Sequence, residues 1–423
     1  MEAGLFTFVS WFSWVILVFV IAKILFFTTL SMKHHTRHKR LHPRALSYTP
    51  FVSVIVPSYN EGMTLNNCIE SLVAQTYPNF EIVIVNDGST DDTLQVARRI
   101  ARQYKPLIRI VTKENGGKAT ALNRGIARSR GDIIVCIDAD SIFLPNTVEQ
   151  LVLSFHDKDV AAVGGNVKVA NNKKLLSRQQ SLEYITGLTI QRKAFAHLGC
   201  MQVISGAIGA FRREAILGIG GYSTTTIVED MDTTIELARH HYKVVYNPSA
   251  IAYTEAPETL DAFLKQRHRW IYGSFQVLSK HRSTLWKRNT NFMGFIGMPY
   301  FLLSPWLDMG ITILFVLSLF RAIVTNDLLG FLGMVVVMFS LQVSLIMYAL
   351  VADKENKKLI ALAVIDSFIY YHLISYATLR AGIEYLRGNN ATWNKLERYG
   401  KNVLPQETQP QQLTPATSAE KVG

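Results

Sequence analysis

Asp138 and Asp140, in the stretch "CIDADS", stand two residues apart, a spacing that on a strand puts both carboxylates on one face. Adjacent acids repel unless a cation neutralises them. A Mg²⁺ ion bridging a diphosphate typically takes one or two carboxylates plus phosphate oxygens, although a lone D-x-D also recurs by chance. "VNDGSTDDT" ends a strand at Asp87 and enters a helix through Gly88 and Ser89, a geometry that serves a nucleotide base or ribose, or a plain helix N-cap. "NGGKATALNRG" offers Lys118 and a helix start whose amides suit phosphate, without the spacing of a Walker loop. "ISGAIGAFRRE", with Ser205 and Gly206, fits core packing as well as a binding loop. "VEDMD" gathers Glu229, Asp230 and Asp232, as a solvated acidic helix start also does. "FLKQRHRWIYG" sets Arg267, His268, Arg269 and Trp270 just before a strongly apolar chain, where cations and tryptophan commonly anchor a helix to lipid headgroups.

The elements that must hold these residues follow from hydrophobic period. "FVSVIVPSYN", "FEIVIVNDGS", "LIRIVTK", "GDIIVCIDAD" and "VAAVGGNVKV" read as buried strands. "TLNNCIESLVAQTY", "DTLQVARRIARQY", "KATALNRGIARS" and "NTVEQLVLSF" read as amphipathic helices between them. Such βαβα order predicts an α/β domain over residues 51–258, with a parallel sheet covered on both faces. Ligands of these sheets lie beyond the carboxyl ends of the strands. Asn60, Glu61, Asp87, Asp138 and Asp140 all fall there.

The hydrophobic share of 49% is clustered rather than spread. Residues 7–30 contain one cation, Lys23, and are long enough to cross the roughly 30 Å hydrocarbon core, so 1–31 is predicted as a transmembrane helix rather than a signal peptide. The basic linker 32–50 carries Lys33, Arg37, Lys39, Arg40 and Arg44, which places it on the cytoplasmic side and the N-terminus outside. An interfacial helix is expected within 259–290. Within 291–385 three apolar stretches follow, 292–324, 328–351 and 359–380, the first divided at Pro299 and Pro305 into interfacial and spanning pieces. One crossing per stretch sends the C-terminus outside, whereas Arg380, Arg387, Lys395, Arg398 and Lys401 in and beside the 386–423 segment argue for inside. Residues 404–423 have the composition of a disordered tail. The formal charge of +12 sits largely beside apolar segments, so lipid headgroups are the expected partner and nucleic acid is not. Cys68, Cys136 and Cys200 follow neither a metal-ligand pattern nor a disulfide framework and read as buried thiols.

Taken in order, "PSYNE", "NDGS", "GGKATALN", "DAD", "VED" and "QRHRW" across residues 57–270 resemble the membrane-embedded processive glycosyltransferases of family 2. That family includes cellulose, hyaluronan, chitooligosaccharide and poly-β-1,6-N-acetylglucosamine synthases. Compact length, "QRHRW", "VEDMD" and "WNKLERYG" look most like the last group. The resemblance implies a GT-A fold, a UDP-sugar donor, a growing polysaccharide acceptor, export across the membrane, and a small membrane accessory subunit as a further partner. It places Pro57, Tyr59, Glu61, Asp87, Lys118, Asp138, Gln266 and Arg269 around the nucleotide sugar, and Asp140 on Mg²⁺ or Mn²⁺. It makes Asp230 the catalytic base with Glu229 beside it, and sets Ser205, Gly206 and Trp270 near the acceptor. Relatives often carry Thr where this chain has Val228, which puts a hydroxyl contact there in doubt. Hyaluronan, chitooligosaccharide and β-glucan synthesis, or single transfer to a lipid acceptor, are the alternative activities.

Overall fold

The structure, a computed structural model, describes residues 2–41, 48–287, 292–388 and 400. Arg44, the "WNKLERY" run with Lys395 and Arg398, Lys401 and the polar tail lie outside the described residues.

Helix α1 (Glu2–Leu41) continues ten residues past the expected end of the apolar segment. The basic run has no Gly or Pro before Pro43, and Lys and Arg are good helix formers, so nothing in it stops the helix. The predicted alternation then appears as β1 (Val52–Ser58), α2 (Leu65–Val73), β2 (Phe80–Asp87), α3 (Thr93–Gln103), β3 (Ile108–Lys113), α4 (Lys118–Arg128), β4 (Ile133–Cys136), β5 (Ser141–Phe143), α5 (Thr147–Leu153) and β6 (Val160–Val169). Next come α6 (Leu175–Glu183), α7 (Ile190–His197), β7 (Gly209–Arg212), α8 (Arg213–Gly218), α9 (Glu229–Arg239) and β8 (Lys243–Thr254).

The strands form one eight-stranded sheet in the order β3-β2-β1-β4-β7-β6-β8-β5. β1 to β4 are parallel neighbours, as are β6 and β8. β7 runs antiparallel to both β4 and β6, and β5 antiparallel to β8, so the sheet is mixed rather than wholly parallel. Alternation along β1 divides the core. Val52, Val54 and Val56 face the cluster that includes Ile69 and Leu72 of α2 and Leu151 of α5. Ile55, with Val83 and Val85 of β2, faces Leu122 and Ile126 of α4. Each such side chain, fully buried, contributes about 1.5–3 kcal/mol, and together they fix the strand ends on which the polar residues stand.

Helix α10 (Leu260–Lys280) begins where the Thr259 hydroxyl accepts a hydrogen bond from the Ala262 amide at 3.3 Å. It is followed by α11 (Met298–Val324), α12 (Leu328–Ala352), the short α13 (Ala363–Ile365) and α14 (Tyr371–Leu386). Among the described residues, Trp11–Thr36, Met293–Val324, Leu328–Ala352 and Lys357–Leu386 are helices long and apolar enough to cross a membrane. The expected division of the 292–324 stretch is absent: a π-helical turn, Met293–Gly297, runs straight into α11. Pro299 falls in the first turn, where its missing N–H costs little, and Pro305 is carried inside the helix.

A third core joins the membrane helices to the α/β domain. It contains Phe27 of α1, Leu182 of α6, Phe195 of α7, Met231 of α9, Val277 of α10, and Ile346 and Leu350 of α12. Lys193 pairs with Asp353 just past α12, and Lys168 Nζ lies 2.6 Å from Glu355 Oε1. The last apolar stretch makes polar or apolar contacts at both of its ends. Leu359, Leu362 and Ala363 pack in the third core, while Glu384 and Tyr385 meet His268 and Tyr272 of α10. Gly400 packs against Met63 of the α/β domain.

Candidate active site

The polar residues converge at the carboxyl ends of β1, β2 and β4 and the start of α9. Lys118, the first residue of α4, lies with its Nζ 2.5 Å from Asp138 Oδ1 and 3.1 Å from Glu229 Oε1. Burial disfavours the ammonium, but Asp138, Glu229 and Asp230 outweigh it and hold Lys118 protonated beyond its ordinary range. Asp230 accepts the Met231 amide on Oδ1 at 2.8 Å and the Gly206 amide on Oδ2 at 3.2 Å. Its pKa is pushed up to about 6, chiefly by burial and then by Glu229, with Lys118 opposing. A carboxyl poised there is ionised at neutral pH yet basic enough to accept a proton.

The Ser205–Gly206 turn completes this wall. A Cβ at position 206 would lie 2.4 Å from Lys118 Nζ, so a side chain there would displace the ammonium from its place between Asp138 and Glu229. The Thr234 hydroxyl bonds the Asp230 carbonyl at 2.6 Å and accepts from the Ile204 amide at 2.9 Å, tying the turn to α9.

Asp87 does something other than cap a helix. Both its carboxylate oxygens hold the loop before α4, accepting Lys113 Nζ at 2.5 Å, the Gly116 amide at 3.1 Å and the Gly117 amide at 2.8 Å. Gly88 has φ +70°, and a Cβ there would strike the Asn115 amide at 2.6 Å, so "DGS" is the turn that brings this loop in. Pro57, next to last in β1, lies beside Val85, Tyr59 follows the strand, and Asn60 Oδ1 accepts the Thr90 amide at 2.8 Å, joining the two loops. Glu61 Oε2 accepts the Thr64 hydroxyl at 2.8 Å.

Asp138 and Asp140 do not lie on a strand. β4 ends at Cys136, and both acids occupy the turn before β5, so the shared-face argument from spacing fails. Asp138 turns to Lys118, whereas buried Asp140 meets the Ser141 hydroxyl at 3.2 Å and the Thr254 hydroxyl at 3.5 Å. Their fields still converge. The Cys68 thiol is pushed well above its usual range by burial, then by Asp140, Asp138 and Glu61. Among the described residues no three His, Cys, Asp or Glu side chains form a metal cage. One or two carboxylates in a negative field fit a hard divalent ion that takes its remaining oxygens from a phosphate and water.

Helix α10 presents two kinds of cation. Arg267 is buried and bidentate to Glu183, both N···O distances 2.6 Å, while the Tyr370 hydroxyl donates to the same carboxylate at 2.6 Å. Its guanidinium lies 4.8 Å from the Trp270 ring centre and 4.9 Å from that of Phe263. This cation is an internal brace rather than a headgroup anchor. Gln266 is buried, and its Oε1 has no hydrogen-bond partner among the described residues. Arg269 and Trp270 are half-buried. Trp270 packs against both the sheet core and the membrane-side core and lines a cavity of about 230 Å³ with Phe301, Ser304 and Tyr371. Thus Lys118, Asp138, Gly206, Glu229 and Asp230 come together directly, whereas Gln266, Arg269 and Trp270 stand on a separate helix.

A second polar cluster was not foreseen. Asp232, one face round α9 from Asp230, accepts His281 Nε2 at 2.7 Å, Lys280 Nζ at 2.7 Å and the Thr226 hydroxyl at 2.9 Å. Burial works against its charge, but His281 and Lys280 bring its pKa down to about 2. The Ile227 amide bonds Gln276 Oε1 at 3.1 Å, and Val228 is packed so closely on Gly273 that an added Cβ would lie 2.7 Å away. The Val228 methyl groups thus seat the start of α9 on α10.

Residues 49–273, over half the chain, match the family described as "Glycosyltransferase like family 2". The chain is 32% identical over 228 residues to the poly-beta-1,6-N-acetyl-D-glucosamine synthase of Staphylococcus aureus, covering 54% of this chain and 55% of that protein. It is 30% identical over 229 residues to the Staphylococcus epidermidis protein of the same description, with the same coverage. The chain therefore spans about half the length of the curated relatives it matches. The mannosyltransferase PcManGT from Pyrobaculum calidifontis, solved with GDP-Man and Mn²⁺, superposes with a TM-score of 0.60 at 21% identity, covering 89% of this chain and 99% of that one. The chain belongs to glycosyltransferase family 2, and its mixed sheet is the GT-A-like fold of that family's transferase domain.

Proposed function

We propose, from this family membership, that the chain is a processive inverting glycosyltransferase that polymerises a UDP-activated hexose, UDP-GlcNAc first among them, and exports the β-linked product. The observation that carries the reading is Asp230: half-buried, held by two backbone amides and poised near pH 6 beside a lysine that gathers three acids. An acceptor hydroxyl gives its proton to Asp230 as its oxygen attacks the anomeric carbon, and the bond to the UDP oxygen breaks with its electron pair leaving on the diphosphate. One displacement of an α-linked donor leaves a β bond. Asp140, with Asp138 beside it, would hold Mg²⁺ or Mn²⁺, which supplies neutralisation of the diphosphate charge.

Lys118 keeps Asp138 and Glu229 in place, and Asp87 holds the loop that sets Lys118. Glu61, Tyr59 and Pro57 form the nucleotide edge of the site. Gln266, with its unpartnered carbonyl, and Arg269 close the donor side, while Ser205, Gly206 and Trp270 meet the acceptor. The contacts also support a topology: α1, α11 and α12 cross, the Lys357–Leu386 helix returns to the side it left, and Gly400 shares the cytoplasmic side with the α/β domain. On this reading the parity conflict posed by the basic C-terminal residues does not arise.

Purified protein in lipid vesicles, given single UDP-sugars with Mg²⁺ or Mn²⁺, tests the reading through UDP release and product length. Long polymer from UDP-GlcNAc alone is expected. Single additions to a lipid acceptor, or polymer only from another donor, would overturn the processive or the donor assignment respectively.

A further inference from the structure

Lys23 is the one cation within residues 7–30, and its role lies outside the transfer chemistry. Its Nζ lies 3.5 Å from Asp308 Oδ1, near the middle of α11, and 5.7 Å from the ring centre of Tyr300. The Tyr371 hydroxyl donates to the Asp308 carbonyl at 3.0 Å. An ion pair inside a membrane is costly, and an apolar pair of similar volume would hold two helices together as well or better. Its retention calls for a use.

Two cavities meet around it, and a third continues from one of them. The first, about 230 Å³, runs from Trp270 between α10, α11 and α14 and ends on Asp308 and Tyr371. The second, about 300 Å³, shares Asp308 and Tyr371 and continues between α1, α11 and α12, with Lys23, Gln342 and His372 in its wall. The third, about 280 Å³, shares Ser13, Ser318 and Met334 with the second and reaches Arg321 and Asp327, at the turn between α11 and α12 far from the α/β domain. Polar groups continue along the way: the Thr312 hydroxyl lies 3.2 Å from His372 Nδ1 and 3.3 Å from the Ser375 hydroxyl. The series leads from the acceptor side of the site to the opposite face, with Lys23, Asp308 and Tyr371 at its first junction.

We propose that Lys23, Asp308 and Tyr371 form a gate that seals this route when empty and exchanges its internal bonds for the hydroxyl and amide groups of a passing sugar chain. The proposal rests on the reading that the product leaves through these helices. Both charged side chains are partly exposed to the adjoining cavities, 24% for Lys23 and 35% for Asp308, so each can reach a new partner without unfolding its helix. A hydrated polymer must find donors and acceptors in place of water as it crosses. Between chains, the same groups bond each other and leave no open file for small ions.

The full chain reconstituted in vesicles tests this with two readouts: proton and potassium leak without UDP-sugar, and the fraction of product protected from added glycosidase with it. Lys23→Ala, Asp308→Asn and Tyr371→Phe are expected to leak at least tenfold faster than wild type while still releasing UDP on a short soluble acceptor. The exchange Lys23→Asp with Asp308→Lys is expected to restore the seal. Variants as tight as wild type, or an exchange as leaky as the single variants, would overturn the gate alone, provided wild type places its product inside the vesicles. Wild type that makes polymer but leaves all of it outside would overturn the export reading, and the gate with it.

Discussion

Asp230 and Asp232 are two residues apart in the first turn of one helix, the first half-buried and the second fully buried, and they are driven in opposite directions. Asp232 is met by an imidazole, an ammonium and a hydroxyl, which overcome the loss of water and bring it down to about 2. Asp230 is met by two neutral amides and a neighbouring carboxylate, with the shared Lys118 too heavily engaged to compensate, and it rises to about 6. Loss of solvation works against the charge of both. The supply of partners decides which carboxylate is a fixed counter-ion and which remains a base. A matching division recurs on α10, where Arg267 is locked to Glu183 and Arg269, two residues on, belongs to the proposed donor side.

Exchanging each acid for its amide tests the division most severely. Asp230→Asn should lower turnover by about 100-fold or more while leaving UDP affinity near wild type. Its thermal unfolding in detergent should be unchanged or slightly later, because a like charge beside Glu229 is gone. Asp232→Asn should do the reverse, with Asp232→Ala, which strips His281 and Lys280 of their anion, costing about 3–5 kcal/mol of stability. Equal effects of the Asp230 and Asp232 amides on turnover and on unfolding would break the comparison.

On α10 the expected effects are smaller. Arg267→Lys loses the bidentate bond to Glu183 and should unfold earlier with little change in the pH profile, whereas Arg269→Lys should unfold like wild type and turn over more slowly. Steady-state kinetics beside a melting curve separates them.

The pH dependence sharpens the contrast without mutation. Turnover should rise about tenfold per pH unit up to about 6 and level above it, as Asp230 loses its proton. Asp232 has a depressed folded pKa, so its contribution to stability is fully present above the ordinary carboxylate range near 4 and is lost as pH falls through about 2. A rate profile over pH 5–8 and acid unfolding below pH 4 should therefore report different residues. The smallest effect is expected from Val228→Thr, which brings a hydroxyl against Gly273 and should cost about 1–3 kcal/mol if it finds no acceptor.

Most of the first half of the α/β domain was legible in the amino-acid order because β1, β2 and β4 are continuous Val and Ile runs and α3 and α4 keep a clear helical period. The second half was not. β7 hides in a small-residue stretch that reads as a turn, and β8 carries Asn247, Pro248 and Ser249 inside one strand. The α7 helix lies mainly against α1, with Phe195 on Phe27, so its apolar pattern does not announce a sheet-covering helix. The residue types of the site were visible, but their pairings were not. Nothing local joins Asp232 to His281 or Arg267 to Glu183, and Arg267 beside a tryptophan looks like an anchor until Glu183 arrives from 84 positions away. The D-x-D spacing misled for a local reason: β4 stops at Cys136, and alternation ends with the strand.

Lys193 with Asp353 and Lys168 with Glu355 fasten the α/β domain to the turn after α12, Arg267 with Glu183 fastens it to α10, and the third core fills the space beside them. Ties to two different helices and a shared apolar core oppose rocking of the domain as a body. Under the proposed processive reading, the product then advances without a lever arm the size of a domain. The parts small enough to move inside such a frame are the indole of Trp270, the Ser205–Gly206 turn and the product chain itself, and the step length is that of a single sugar.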